Sequence, residues 1–448
     1  MKKLLALTMT LVLVFAMTAC GSVPAAGSSG AAASGGTAST AASSTKTENP
    51  SVVKIGILYP LSGSNAATGA LQLAGVKMAV DNKNAAGGIE SMGGAKVELV
   101  IADSTGQPEV GVTEIERLIV KEKVDCLVGP YQSAVGASTA PVADRYGVPY
   151  VLSNSNVDSI LENGYTYVFR ANHANSDAAK NMVEYITGIS QKKGDPVKSV
   201  FIINETSDWG KGMAVELEKL SKEAGLEVKG VESFTTNAAD MSGMVLKLKE
   251  ADPDVCFVMM YLNDAVLFTN QMYELGCDVP LFADGGGYAV PDYIEKSGKL
   301  TEGVIATAGW HVGLLDYKPE AAAKLNEQFK KDYAPTSGLD LDEYSASGWL
   351  NASVMLAALE SAGTVDKDAI RDALANMDVP ADDPLLTLHA FGGIKFGEVR
   401  TMTNQNPYSG KIIVQSIGGE YKLVGPLDLT GEKSPGYWPI PTWSKRVK

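Results

Sequence analysis

The chain is poor in the residues that carry out chemistry. Of 448 residues only three are histidine, His173, His311 and His389, and they are too scattered for a metal-ligand spacing. There is no G-x-S-x-G elbow, no Walker loop, and no G-x-G-x-x-G after the first strand-like run. Gly285-Gly286-Gly287 follows a strand-like run, but a bare glycine triplet with no patterned helix behind it is a weak signal. With no nucleophile, metal or cofactor constellation, neither a cofactor nor catalysis is expected. Only acid–base work by scattered carboxylates would leave no spacing to read. Positive charge is also short, 38 basic residues against 52 acidic ones for a net charge of −14. Nucleic acids and anionic membrane surfaces need a basic footprint, so neither is an expected partner. Long apolar runs are missing too. The run at 4–16 falls short of the ~20 residues that span a bilayer.

Cysteine is sparse, four in all. Cys126, Cys256 and Cys277 are odd in number and widely spaced, which gives neither a zinc pattern nor a complete disulfide framework. Cys126 and Cys256 lie in apolar runs and read as small buried hydrophobes, with a Cys256–Cys277 bridge as the alternative. Cys20 is different. Lys2 and Lys3, the apolar run and Met17-Thr18-Ala19-Cys20-Gly21 make a secretory signal over residues 1–20. The ending resembles a bacterial lipobox, which implies acylation of Cys20; an ordinary secretion signal with an incidental cysteine is the alternative. Residues 21–51 are almost wholly Gly, Ala, Ser and Thr as far as Thr47, a composition that reads as a flexible tether. The expected location is therefore outside the cytoplasm, attached to the cell membrane through a lipid on Cys20.

The roughly 400 residues that remain are too many for one core and suit two domains. Short β-branched runs alternate with helical patterns, the mark of a parallel sheet flanked by helices. Strands are expected at 52–58, 96–103, 124–129 and 149–153, and a second set at 198–204, 227–234, 254–260 and 280–284. Between them, Met213, Leu217, Leu220 and Ala224 keep a helical period, with a cap among Thr206, Ser207 and Asp208 and a stop at Gly225. A further helix runs over 264–275. The last third reads as helices at 320–333, 343–362 and 367–377, then a hairpin of 411–418 with 420–423 around Gly418-Gly419. The tail, 434–443, is rich in Pro and aromatics and reads as an extended strap.

In an open α/β sheet, ligands bind at the carboxyl ends of strands. The loops there are Tyr59 to Gly69, Gly129-Pro130-Tyr131-Gln132-Ser133 and Ser153-Asn154-Ser155-Asn156. Ser133 opens a helix, where a hydroxyl beside unsatisfied amides suits a carboxylate or simply caps the helix. In the second set, Trp209, Tyr261, Asp284 and Tyr288 also follow strands. Aromatic rings facing polar loops across a cleft are what a small-molecule site requires.

These residues resemble a family. Residues 53–58, Ser62-Gly63, Gly69, Gly75 and Asn84-Ala85-Ala86-Gly87-Gly88-Ile89 resemble the opening of branched-chain amino-acid receptors of ABC importers, the type I periplasmic binding proteins. Ala102-Asp103, Gln107-Pro108, Val128-Gly129 before Ser133, Tyr146 to Pro149, Trp209 to Gly212, 346–363 and Gly392 to Phe396 continue the similarity. The resemblance implies two similar doubly wound α/β lobes joined by three crossover segments. Lobes would comprise 52–169 plus 308–388, and 170–303 plus 393–425, with a tail strap at 426–448. Crossovers would fall near Phe169-Arg170, at 304–307 and at 388–393. It implies a monomeric receptor that traps a small ligand and hands it to an ABC permease. By position, Ser133 bonds a ligand carboxylate, Asn154 offers its backbone carbonyl to an ammonium, and Trp209 and Tyr261 close over the ligand. Tyr131 lies in the same loop as Ser133. Asn156 stands where the family has Thr or Ser, and Gly286 where it has an acidic ammonium partner. Either Asp284 replaces that partner or the ligand lacks an ammonium. Apolar amino acids are the expected ligands; an amine-free carboxylate or amide, a signalling receptor and a two-lobed hydrolase are the alternatives.

Overall fold

The computed structural model describes residues 50–316, 342–383 and 392–447. The signal, the tether up to residue 49 and the helix expected at 320–333 lie outside them. The described strands are β1 (Val52–Tyr59), β2 (Lys96–Asp103), β3 (Cys126–Val128), β4 (Tyr150–Leu152), β5 (Val168–Arg170), β6 (Ser199–Glu205), β7 (Glu227–Phe234) and β8 (Val255–Met259). They continue with β9 (Leu281–Ala283), β10 (Ile305–Ala308), β11 (Asp378–Val379), β12 (Ile394–Lys395), β13 (Gly397–Val399), β14 (Met402–Gln405), β15 (Ile412–Ile417) and β16 (Glu420–Gly425). Helices that matter to the site are α1 (Ala66–Ala85), α2 (Pro108–Glu116), α3 (Ser133–Arg145), α4 (Asn175–Lys192), α5 (Asp208–Glu223), α6 (Ser242–Ala251), α7 (Leu262–Glu274), α8 (Pro291–Ser297) and α9 (Glu343–Ala362).

Two seven-stranded sheets result. Their orders are β13-β14-β5-β4-β3-β1-β2 and β16-β15-β10-β9-β8-β6-β7. The first is parallel over six strands, β14 to β2, and the second over five, β10 to β7; β13–β14, β10–β15 and β15–β16 add antiparallel pairs. Burial follows strand position. Interior strand β6 is buried at every residue, whereas its neighbour, edge strand β7, alternates exposed and half-buried positions up to the buried Phe234, as expected where one face meets helices and the other water.

Short elements separate expectation from structure. The expected crossover near Phe169-Arg170 coincides with the end of β5, after which the chain goes on to the second sheet, and that at 304–307 overlaps β10, whose Ile305 and Ala306 pair with Phe282 and Ala283. After residue 392 the chain first adds β13 and β14 to the first sheet, so the third passage lies between Gln405 and Ile412 rather than at 388–393. Arg170 explains the first of these. It is fully buried, and its guanidinium donates to the Gln405 side chain at 2.6 Å and to the carbonyls of Ser155 and Val157 at 2.9 and 3.0 Å. The Cys256–Cys277 bridge is absent; Cys126, Cys256 and Cys277 are buried free thiols.

Glycine lets α1 and α9 touch backbone to backbone in the first lobe. A Cβ at Gly75 would lie 2.0 Å from the Ser345 carbonyl, and one at Gly348 would lie 2.0 Å from that of Gln72. This contact holds the first turn of α9 close to the carboxyl ends of β3 and β4. In the second lobe the tail runs as a strap: Trp438 donates to the Asp195 carbonyl at 2.9 Å and Trp443 to that of Cys277 at 2.7 Å.

Candidate functional site

One small cavity gathers residues from both lobes. It is lined by Tyr131, Ser133, Asn154, Asn156, Trp209, Tyr261 and Asp284, seven of the residues singled out above, together with Gly286, Glu343, Tyr344 and Lys411; Tyr288 is instead buried against Tyr293. Its free volume is about 20 Å³, room for roughly one water molecule. A ligand larger than that enters only when the lobes part or the rings swing. Across Tyr261 lies a second hollow of about 270 Å³, lined by polar residues of both lobes including Gln107, Gln132, Thr206 and Asn237.

Ser133 is the first residue of α3, whose leading amides lack intrahelical acceptors. Its side chain does not cap that helix. The hydroxyl oxygen instead accepts the Asn156 amide at 2.9 Å and the Val157 amide at 3.3 Å, which fixes the next loop beside it and keeps the hydroxyl hydrogen available. Asn156 pairs its amide nitrogen with the His173 ring at 2.9 Å. The Asn154 side chain is tied to Ser347 at 2.7 Å and to Gln72, so it faces structure rather than ligand.

Four aromatic rings form the wall. Tyr131 meets Tyr261 edge-on at 6.1 Å and Tyr344 at 5.4 Å, and Trp209 lies 5.2 Å from Tyr261. Tyr131 and Tyr344 belong to the first lobe, Trp209 and Tyr261 to the second. The Tyr344 hydroxyl donates across to the Gly286 carbonyl at 2.9 Å. Burial pushes the hydroxyls of Tyr131, Tyr261 and Tyr344 well above the ordinary tyrosine range, so all three stay neutral donors.

Asp284 lines the cavity with both carboxylate oxygens engaged by the protein. One oxygen accepts the Trp209 indole N–H at 3.0 Å; the other accepts Thr307 Oγ1 at 2.6 Å and lies 3.3 Å from Lys411 Nζ. Lys411 is 4% exposed. Burial alone would lower its pKa, but the carboxylates of Asp284 and Glu343 outweigh burial and hold it above the usual lysine value. Lys411, Glu343 and Tyr344 were missed by sequence reasoning. Lys411 looks like the start of a hairpin strand and Glu343 like an ordinary first-turn acid; only the tertiary fold brings them to Asp284. An acidic side chain at 286 has no room, since a Cβ there would stand 2.6 Å from the Met260 carbonyl and 2.7 Å from the Trp209 ring. Among the described residues no group of three His, Cys, Asp or Glu could hold a metal.

The comparisons agree with this architecture. The periplasmic binding protein family matches residues 52–411. A Leu/Ile/Val-binding protein homolog of Brucella abortus is 31% identical over 381 residues, covering 84% of this chain and 90% of its own. A leucine-binding protein from Thermotoga maritima superposes with a TM-score of 0.71 at 23% identity, covering 84% of this chain and all of that one. A Streptococcus pneumoniae branched-chain amino-acid transporter substrate-binding protein, in complex with isoleucine, gives 0.70 at 22% over 84% and 100%. A Rhodopseudomonas palustris solute-binding protein in complex with benzoate gives 0.70 at 19% over 84% and 96%. The chain belongs to the periplasmic binding protein family, type I, and is a non-enzymatic solute-binding protein.

Proposed function

We propose that the protein is a lipid-anchored receptor that captures an amino acid with an apolar side chain between its lobes and delivers it to an ABC permease. The observation that carries this reading is the cavity in which Ser133 and the start of α3 face aromatic rings of the opposite lobe. The Ser133 hydroxyl and the leading α3 amides would hold the carboxylate, the Asn154 backbone carbonyl would accept from the amine, and Trp209, Tyr261 and Tyr131 would enclose the side chain. Ligand contacts to both lobes favour the closed form by their differential binding energy, and the permease would read that form. Acylation of Cys20 would keep the receptor beside the permease, as a monomer.

One observation favours a second reading. Asp284 already has Lys411 as its cation, so an amine-free carboxylate would find the acidic position occupied; the benzoate-bound relative suits that chemistry. The test is titration of denatured and refolded protein with apolar L-amino acids and with benzoate. Micromolar amino-acid binding supports the receptor as stated. Binding of benzoate alone moves the assignment to the second reading, and binding of neither sinks both. A clickable fatty acid should label the wild type and not Cys20→Ala; an equally labelled variant would end the anchor.

A further inference from the structure

Glu343 is the acidic group in the cavity with an oxygen that no described protein donor reaches. It is 5% exposed, at the first turn of α9. Its Oε2 accepts the Gly309 amide and lies 3.9 Å from Lys411 Nζ, while Oε1 has no partner. The Tyr344 hydroxyl stands beside it. A hydroxyl has one hydrogen, however, and this one is given to the Gly286 carbonyl. Nor does the positive end of α9 neutralise Glu343. The Asp342 carboxylate takes the helix amides of Tyr344 and Ser345, at 2.5 and 3.0 Å.

Asp284 is the contrast. Both its oxygens are occupied, by Trp209 on one side and by Thr307 and Lys411 on the other. Gly285 makes room for this arrangement, since a Cβ there would lie 2.7 Å from Lys411 Nζ and 3.3 Å from Glu343 Oε1. Apart from the tyrosines, the ionisable residues lining the cavity are thus two carboxylates and one ammonium, which leaves one negative charge. A buried carboxylate with a bare oxygen is costly unless a cation or donor meets it.

We infer that Glu343, rather than Asp284, receives the cationic amine of the ligand, while Lys411 neutralises Asp284 from within the protein. This rests on the amino-acid reading above and fixes where the amine goes: against the first lobe's α9, not the glycine loop after β9. The ligand amine donates to Glu343 Oε1 and gives that oxygen its partner, while the ligand carboxylate lies apart from it at Ser133 and the α3 amides. An amine-free carboxylate would leave Oε1 bare and bring a second negative charge into the same space.

The test is calorimetric titration of refolded, ligand-free protein with leucine, isoleucine, valine and phenylalanine, each beside its desamino acid. Wild type should favour the amine form by at least about tenfold. Glu343→Gln should weaken amino-acid binding by about 10- to 150-fold and leave desamino binding within a few-fold, so that the preference collapses. A merely structural role would weaken both forms together. Should Glu343→Gln fail to fold, Glu343→Asp, which withdraws the carboxylate by one methylene, gives the same readout. Amino-acid binding unchanged in the variant overturns the inference and leaves the receptor standing. Equal wild-type binding of both forms overturns it in favour of an amine-free ligand. If none of the eight compounds binds, the amino-acid reading falls and the inference with it.

Discussion

At Ser133 the hydroxyl oxygen accepts two loop amides, and its hydrogen is left for a ligand. Ser133→Ala should therefore act twice. Affinity should fall by about 10- to 150-fold through the lost charge-assisted bond, and stability should drop by about 1–3 kcal/mol because the buried Asn156 and Val157 amides lose their acceptor. Calorimetry and urea unfolding read the two effects; unchanged affinity would reduce Ser133 to a loop fastener. Asp284→Asn should destabilise the ligand-free protein by on the order of 3 kcal/mol, since Lys411 keeps only the more distant Glu343. The raised pKa of Lys411 sets the pH window. The stability it contributes is complete below the unfolded lysine value of about 10.4 and is lost as pH rises through the higher folded value. A variant as stable as wild type at pH 8 would contradict the pair. The seven cavity residues named from the sequence were legible because strand ends and a family pattern point to loops. Lys411 and Glu343 were not, because 127 and 59 positions separate them from Asp284 (411 − 284 and 343 − 284) and neither shows a periodicity.

Among elements, the apolar strand runs announced themselves, even where only three residues of β3, β4 and β9 form the strand, whereas β5 and β10 did not. β2 and β7 were read to the residue, and the hairpin β15–β16 turns at Gly418 and Gly419, whose φ values of 64° and 82° suit a two-residue turn. β5 and β10 have three and four residues, too few for alternation to show, and their buried Arg170 and Thr307 mimic loop chemistry. The segment after β10 carries a pH-sensitive fastening. His311 Nδ1 accepts the Gly313 amide at 3.0 Å, which requires the neutral ring. Burial, outweighing a bond to the Tyr421 backbone and helped by nearby Lys422, pushes His311 down to about 4. The unfolded state then binds the extra proton first, so stability should fall as pH drops from about 6.5 to 4, by up to about 3 kcal/mol. Urea unfolding of wild type and His311→Gln at pH 7.5 and 5 checks this. A pH dependence identical in both would assign it to other groups.

For the whole molecule, alternating strands and helices were enough to foresee two α/β lobes, while sheet membership near residue 400 needed the pairing of β14 with β5. The closed arrangement seen here brings rings of both lobes within 6.1 Å and leaves space for about one water, so capture implies opening first. The central claim is that this cavity holds one small carboxylate with an amine. Mass spectrometry of what is released from freshly purified, denatured protein tests it most directly. The account predicts one enriched amino acid in near-stoichiometric amount, depleted in protein carrying Ser133→Ala or Glu343→Gln. An enriched compound that lacks a carboxylate or an amine, or one retained equally by both variants, would contradict it.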